Sequence, residues 1–257
     1  MNKKTHFGFQ LVDEREKNKR VANVFHQVAS RYDLMNDLMS GGLHRLWKIF
    51  ALFVSVTKPN ERILDIASGT GDLALSLAKK MAKKPEIWCT DINLSMLQIG
   101  QNRLLDNGFI LPIIAADAEK LPFPNNYFDC VFIGFGLRNM NQQTIVLSEV
   151  YRILKPMGRI VILEFSKIWK PLLRFYRFYS FKVLPFLGKI IAKDEESYRY
   201  LAESIEMHPD QETVKMMMIR AGFSQVDYFN LQAGIVALHR GFKLFIKENP
   251  TDHLKDV

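Results

Sequence analysis

The sequence predicts an α/β fold built on a doubly wound, mostly parallel sheet, and three observations carry that prediction. After Pro59, short apolar runs alternate with helix-patterned segments. Those runs lack the period-two polarity of strands with one wet face. No internal repeat or low-complexity segment interrupts the series. Strands that are apolar on both faces need helices on both sides, which is how a parallel sheet is covered.

Taken in order, residues 1–58 read as an N-terminal helical cap. Val21, Val24, Phe25 and Val28 recur at i, i+3, i+4 and i+7, Gly41 and Gly42 break the pattern, and a second apolar stretch runs over 46–56. No strand is expected there. Residues 59–247 read as the sheet-bearing domain, with strands at 62–67, 86–91, 113–116 and 128–135 and helices at 72–79 and 95–105. A helix over 142–154 keeps Val146, Leu147, Val150 and Leu154 in helical register, and Pro156 with Gly158 separates it from a strand at 159–165. A helix over 210–221, capped by Gly222, precedes two closing strands at 226–230 and 235–239. Residues 248–257 read as an unstructured tail.

Composition narrows the class. The chain has 257 residues, 48% hydrophobic and 24% charged, which is globular. Its longest apolar runs, 49–57 and 130–137, fall well short of the roughly 20 residues that cross a bilayer, and the first 19 residues hold no apolar signal core. Cys89 and Cys130 form no Cys-x-x-Cys, so neither a disulfide framework nor a cysteine zinc site is encoded, and a reducing, cytoplasmic setting is expected. The six histidines do not cluster at ligand spacing, and no metal is predicted.

The first expected strand runs into Ser68-Gly69-Thr70-Gly71-Asp72 and then a helix, an arrangement that lets backbone approach a nucleotide-like ligand. A glycine turn needed only for helix and strand packing competes with that reading. Asp91 decides between them: it closes the next strand 20 residues after Gly71, where a carboxylate accepts both ribose hydroxyls. Asp117, followed by Ala118, ends the third strand beside the expected adenine. A dinucleotide would fit the same pattern, but Asp65 and Asp72 place carboxylates at the loop that repel pyrophosphate and suit a cationic ligand.

The glycine loop, Phe128-Asp129 and Leu154-Lys155-Pro156-Met157-Gly158-Arg159 are similar to the class I S-adenosylmethionine-dependent methyltransferases, whose Rossmann-like seven-stranded sheet ends in an antiparallel hairpin. Further segments are more specific. They are Val28-Ala29-Ser30-Arg31-Tyr32-Asp33-Leu34-Met35-Asn36-Asp37, Leu43-His44-Arg45-Leu46-Trp47-Lys48, Phe135-Gly136-Leu137-Arg138-Asn139, Leu163-Glu164-Phe165-Ser166, Ser197-Tyr198-Arg199-Tyr200-Leu201 and His208-Pro209-Asp210. Together, over residues 5–243, they resemble the ubiquinone/menaquinone biosynthesis C-methyltransferase family.

That resemblance implies methyl transfer from S-adenosyl-L-methionine to a ring carbon of a polyprenylated benzoquinol, or of demethylmenaquinol. It implies cofactor contacts at Thr70, Asp91, Asp117 and Ala118, with Gly69 and Gly71 shaping the loop. A serine common in the family before Phe-Gly-Leu-Arg-Asn is Gly134 here, so any hydroxyl contact from that position is absent or replaced by backbone. A ring carbon becomes nucleophilic when an adjacent phenol ionises, and a cation or fixed donors favour that form. Arg138 is the expected stabiliser of the phenolate, Asn139 the group that orients the ring oxygen, and Tyr32 and His208 secondary candidates. For Arg138 the competing fate is an ion-pairing residue; for Tyr32 and His208 it is packing or capping.

Between Glu164 and Asp194 no acidic residue occurs, while Lys167, Lys170, Arg174, Arg177, Lys182, Lys189 and Lys193 are interleaved with aromatics. This stretch carries most of the excess of 35 Lys+Arg over 27 Asp+Glu. Residues 167–209 read as a helical substrate or lid insertion, its first helix ended by Pro185. It is either a buried lid or an element that receives a lipid-tailed quinol from an anionic membrane surface. A cytoplasmic protein attached peripherally to the inner face of the membrane is expected, with a quinol substrate, other quinone-biosynthesis proteins as partners and no nucleic acid. The alternatives are an RNA or protein methyltransferase and a noncatalytic scaffold of a quinone-making assembly.

Overall fold

The computed structural model describes residues 4–29, 32–80 and 85–244. Seven strands form one sheet: β3 (Arg62–Ile66), β4 (Glu86–Asp91), β5 (Ile113–Ala115), β6 (Phe128–Gly134), β7 (Leu154–Phe165), β8 (Ser224–Leu231) and β9 (Val236–Phe242). Their spatial order is β5-β4-β3-β6-β7-β9-β8. The pairs from β5 to β7 are parallel, and β9 inserts antiparallel between β7 and β8. Two apolar clusters cover the two faces. One joins Trp47, Ala51 and Leu77 to Phe132 and Leu163; the other joins Val146, Leu147 and Val150 to Val131 and Ile162. Alternate residues of a strand point to opposite faces, which is why Phe132 and Val131 fall in different clusters.

The helices are α1 (Glu14–Val28), α2 (Tyr32–Ser40), α3 (His44–Ser55), α4 (Asp72–Lys80), α5 (Leu94–Asp106), α6 (Gln143–Ile153), α7 (Leu173–Phe178), α8 (Leu184–Leu187), α9 (Glu195–Met207) and α10 (Gln211–Arg220). Asn93 caps α5 by accepting from Ser95 and Met96 N–H, and Asp194 and Asp210 cap α9 and α10. The N-terminal helices are bound into the sheet domain. Arg159 of β7 donates to the carbonyls of Ser55 and Val56 at the end of α3 and pairs with Glu61 at 2.6 Å.

Three expectations are corrected. The cap holds a two-stranded hairpin, β1 (Lys4–Phe7) and β2 (Gln10–Asp13), where no strand was expected. Strand β7 starts at Leu154, because Pro156 to Gly158 form a bulge rather than a turn: the register jumps from Phe128↔Leu154 to Cys130↔Arg159. Pro185 does not end its helix. A wider π turn at Tyr179–Val183 precedes α8, leaving Pro185 in the first turn of α8, and a second π turn carries the helix on to Ala192. The expected tail at 248–257, and Ser30 and Arg31, lie outside the described residues.

Candidate functional site

A cavity of about 350 Å³ opens at the carboxyl ends of β3, β4 and β6, next to the β3–β6 boundary where the strand order reverses. In an open α/β sheet that is where ligands bind. Ala67 after β3 and Phe135 after β6 have φ of 53° and 59°, so the backbone is held in a costly conformation at both central strand ends. Gly136 is required there, since a Cβ would lie 2.6 Å from Cβ of Ala67.

The glycine loop is pinned from two sides. Ser68 N–H donates to Thr90 C=O at 2.9 Å, and Gly69 N–H donates to Asp91 Oδ2 at 2.9 Å. Asp91 Oδ1 accepts Asn93 N–H at 2.8 Å. Each carboxylate oxygen keeps a further lone pair for a ligand. Burial pushes the Asp91 carboxyl up, against the lowering pull of these N–H donors.

Gly69, Asp91, Asp117, Ala118 and Gly134 all line the cavity. Thr70 and Gly71 do not. Thr70 is buried with its Oγ1 accepting from Arg103 at 3.3 Å. Gly71 has a φ of 72°, which favours glycine, and it lies against Gly100 of α5.

The loop carboxylates act differently from expectation. Asp65 is buried and its pKa is pushed by burial to about 8, so it is neutral at pH 7. Asp72 forms an ion pair with Lys48. The carboxyl groups on the cavity wall are those of Asp91, Asp117 and Glu119.

Tyr32 and Asn139 also line this cavity. Burial pushes the Tyr32 hydroxyl up, opposed by Lys48 and Arg138. Asn139 Oδ1 accepts the Tyr200 hydroxyl at 3.0 Å. Arg138 and His208 line a second cavity of about 180 Å³, which shares Met140 and Asn141 with the first. Arg138 is not the free cation expected. Its Nη1 pairs with Glu164 Oε1 at 2.9 Å, the two side chains being 6% and 2% exposed, so the charge is compensated. Its Nε is buried without a hydrogen-bond partner among the described residues. His208 is pushed down by burial to about 4 and is neutral at pH 7.

The sequence matches the ubiE/COQ5 methyltransferase family over residues 13–243. The chain belongs to this family. Among its relatives, the ubiquinone/menaquinone biosynthesis C-methyltransferase UbiE of Chromobacterium violaceum is 61% identical over 95% of this chain and 100% of its own length. The same-named protein of Laribacter hongkongensis is 59% identical over 95% of this chain and 100% of its own. Solved structures share the fold. A methyltransferase in complex with the Haloferax volcanii Trm112 activator has a TM-score of 0.64 at 16% identity, covering 89% of this chain and 100% of that one. A SAM dependent methyltransferase from Aquifex aeolicus has a TM-score of 0.57 at 16% identity, covering 77% and 89%.

Much of the site in this family member comes from residues that sequence reasoning did not single out. The α1 helix forms a wall through Asn18, Val21, Ala22 and Phe25. It is held there by Asn93 Nδ2 donating to Ala22 C=O at 3.2 Å and by His26 Nδ1 within 2.9 Å of Ser95 Oγ. Asn93, two residues after Asp91, was legible as a helix cap, but nothing in its position announces that it also latches α1. Lys17 lines the second cavity and was not considered.

Proposed function

We propose that this chain moves a methyl group from S-adenosyl-L-methionine to a ring carbon of a polyprenylated benzoquinol, and of demethylmenaquinol, in quinone biosynthesis. The observation that carries the reading is the identity of about three residues in five with C-methyltransferases of quinone biosynthesis, across their whole length.

The residues present fit the co-substrate. Asp91 has acceptor capacity for ribose hydroxyls, Asp117 and Ala118 flank a place for the adenine, and Gly69 and Gly134 let backbone come close. The co-substrate supplies an electrophilic methyl on a sulfonium, which the cavity-lining carboxylates favour over a phosphate ligand. Asn139, whose Oδ1 is held by Tyr200, orients the ring oxygen with its amide. Arg138 acts as a donor through Nε and fixes its loop by holding Phe135 C=O and Glu164. Tyr32 lines the co-substrate cavity. Thr70 and Gly71 shape the loop from behind.

The substrate's lipid tail leaves over the segment that follows β7. Trp169, Phe175, Phe178, Phe186 and Ile190 are each at least 60% exposed, beside the exposed Lys170, Arg174 and Lys182. These exposed side chains suit an anionic membrane, with the protein attached peripherally on the cytoplasmic side. Among the described residues no helix is long and apolar enough to cross a membrane.

The test is direct. Purified protein with S-adenosyl-L-methionine should add one methyl to a short-tailed benzoquinol kept reduced, read by mass spectrometry, and leave the oxidised quinone untouched. Absence of a methylated quinol under reducing conditions would overturn the reading.

A further inference from the structure

The second cavity lies away from the glycine loop, meets the co-substrate cavity at Met140 and Asn141, and at about 180 Å³ is close to the roughly 150 Å³ that holds a benzene-sized ring. Lys17 of α1, Arg138, Tyr200 and His208 line it together with Met140 and Met207. Lys17 is 4% exposed, and its Nζ donates to Met140 C=O at 3.1 Å. Met140 lines both cavities, so the amine stands at the seam between them. No carboxylate among the described residues pairs with it within 4 Å, whereas the charge of Arg138 is taken up by Glu164. An amine buried without a counter-ion is costly unless a ligand supplies one.

Resting on the quinol reading above, we propose that the second cavity is the subsite for the quinol ring and that Lys17 is the catalytic residue that takes the proton of its hydroxyl. The O–H bond breaks, an N–H bond forms, and the resulting ammonium faces the phenolate whose ring carbon takes the methyl. The ring C–H proton then leaves to water as the ring regains aromaticity, and Lys17 returns its proton to the oxygen. One proton is released to solvent per turnover.

The charged and titratable groups around Lys17 suit this task. Glu14 on its own helix and Glu119 after β5 raise the amine, but desolvation outweighs them and lowers it to about 8. His6 of β1, Arg138, Tyr200 and His208 complete the wall. His208, at about 4, is too weak a base for a phenol near 10, while an amine at about 8 comes within about two units of it.

The experiment uses the full chain with S-adenosyl-L-methionine and a short-tailed quinol. Wild-type kcat should rise with pH along a limb centred near 8. Lys17→Met should lower kcat on the order of 100-fold and abolish the limb, while calorimetry shows unchanged S-adenosyl-L-methionine affinity, which also reports folding. Glu14→Gln, a substitution on the first turn of α1, should shift the limb to lower pH with the plateau intact. A Lys17→Met enzyme with wild-type kcat, or a limb that stays in place in both variants, would overturn the proposal. A second readout does not need turnover. A short-tailed phenol bound to wild type should show phenolate absorbance at lower pH than in water, and Lys17→Met should lose that shift. If wild type shows the shift but transfers no methyl to the quinol, the quinol reading fails and the Lys17 contact stands; no shift in wild type removes Lys17 from the ring subsite.

Discussion

Asp91 serves two tasks with one carboxylate, holding the glycine loop through Gly69 and the α5 start through Asn93 while facing the cavity. Charge-assisted hydrogen bonds contribute roughly 1.5–3 kcal/mol each. Asp91→Ala should therefore weaken S-adenosyl-L-methionine binding at least about tenfold by calorimetry, and unchanged affinity in a folded variant would remove it from the site. Asp65 gives a pH signature. Unfolded, its carboxyl ionises near 4; folded, burial holds the proton to about 8. Across that window the folded state binds more protons than the unfolded state, so stability falls as pH rises. His208, pushed down to about 4, works in the opposite sense but only below its unfolded value near 6.5. The melting temperature should thus drop between about pH 6.5 and 8, and Asp65→Asn should flatten that slope. A wild-type slope retained in Asp65→Asn would assign the effect elsewhere.

Among the elements, the bond between β7 and α3 is the one whose loss should be felt furthest. Arg159 and Glu61 are 7% and 12% exposed, and Arg159 also satisfies the last carbonyls of α3. Removing one partner of a buried pair leaves the other charge uncompensated, so Arg159→Ala should cost about 3–5 kcal/mol in denaturant unfolding. A loss under about 1 kcal/mol would show that Glu61 finds water instead. The alternation of strands and helices was legible because each buried strand is a short apolar run, and β4 was predicted to its end residues. The β1–β2 hairpin was not, because its strands are polar and gain their partner only in three dimensions, where Phe9 N–H donates to Glu203 of α9. Its one signal was Gly8 at the first position of a two-residue turn, with φ of 57°. The Pro156-Met157-Gly158 bulge was hidden for the opposite reason: its residues spell a turn, and only pairing with β6 shows a strand. At the site, the strand-end residues Asp91, Asp117 and Gly134 were readable from position. The Glu164 partner of Arg138 was not, since pairing across 26 residues leaves no periodic trace.

For the molecule as a whole, the proposed membrane attachment rests on the exposed cations and aromatics after β7. Each cation near an anionic bilayer contributes about 1 kcal/mol, screened over roughly 8–10 Å, so attachment should be reversible. Cosedimentation should favour anionic over neutral vesicles, fall at high salt, and weaken when Lys170, Arg174 and Arg177 are replaced by glutamine. Equal recovery in the supernatant with and without anionic vesicles would mean that the quinol is delivered by another protein. The sheet also dictates a timetable. Strand β9, the last described element, slots between β7 and β8, and the C-terminal segment also reaches back to α3: Trp47 Nε1 donates to Gln232, 185 residues away, and Arg240 donates to Val54 C=O. During synthesis α3 can pack on α4 and β7 before these partners emerge, whereas β8 leaves the ribosome ahead of the strand that joins it to β7. A nascent chain stalled before β9 therefore holds a complete glycine loop on an unfinished sheet, with β8 still unpaired.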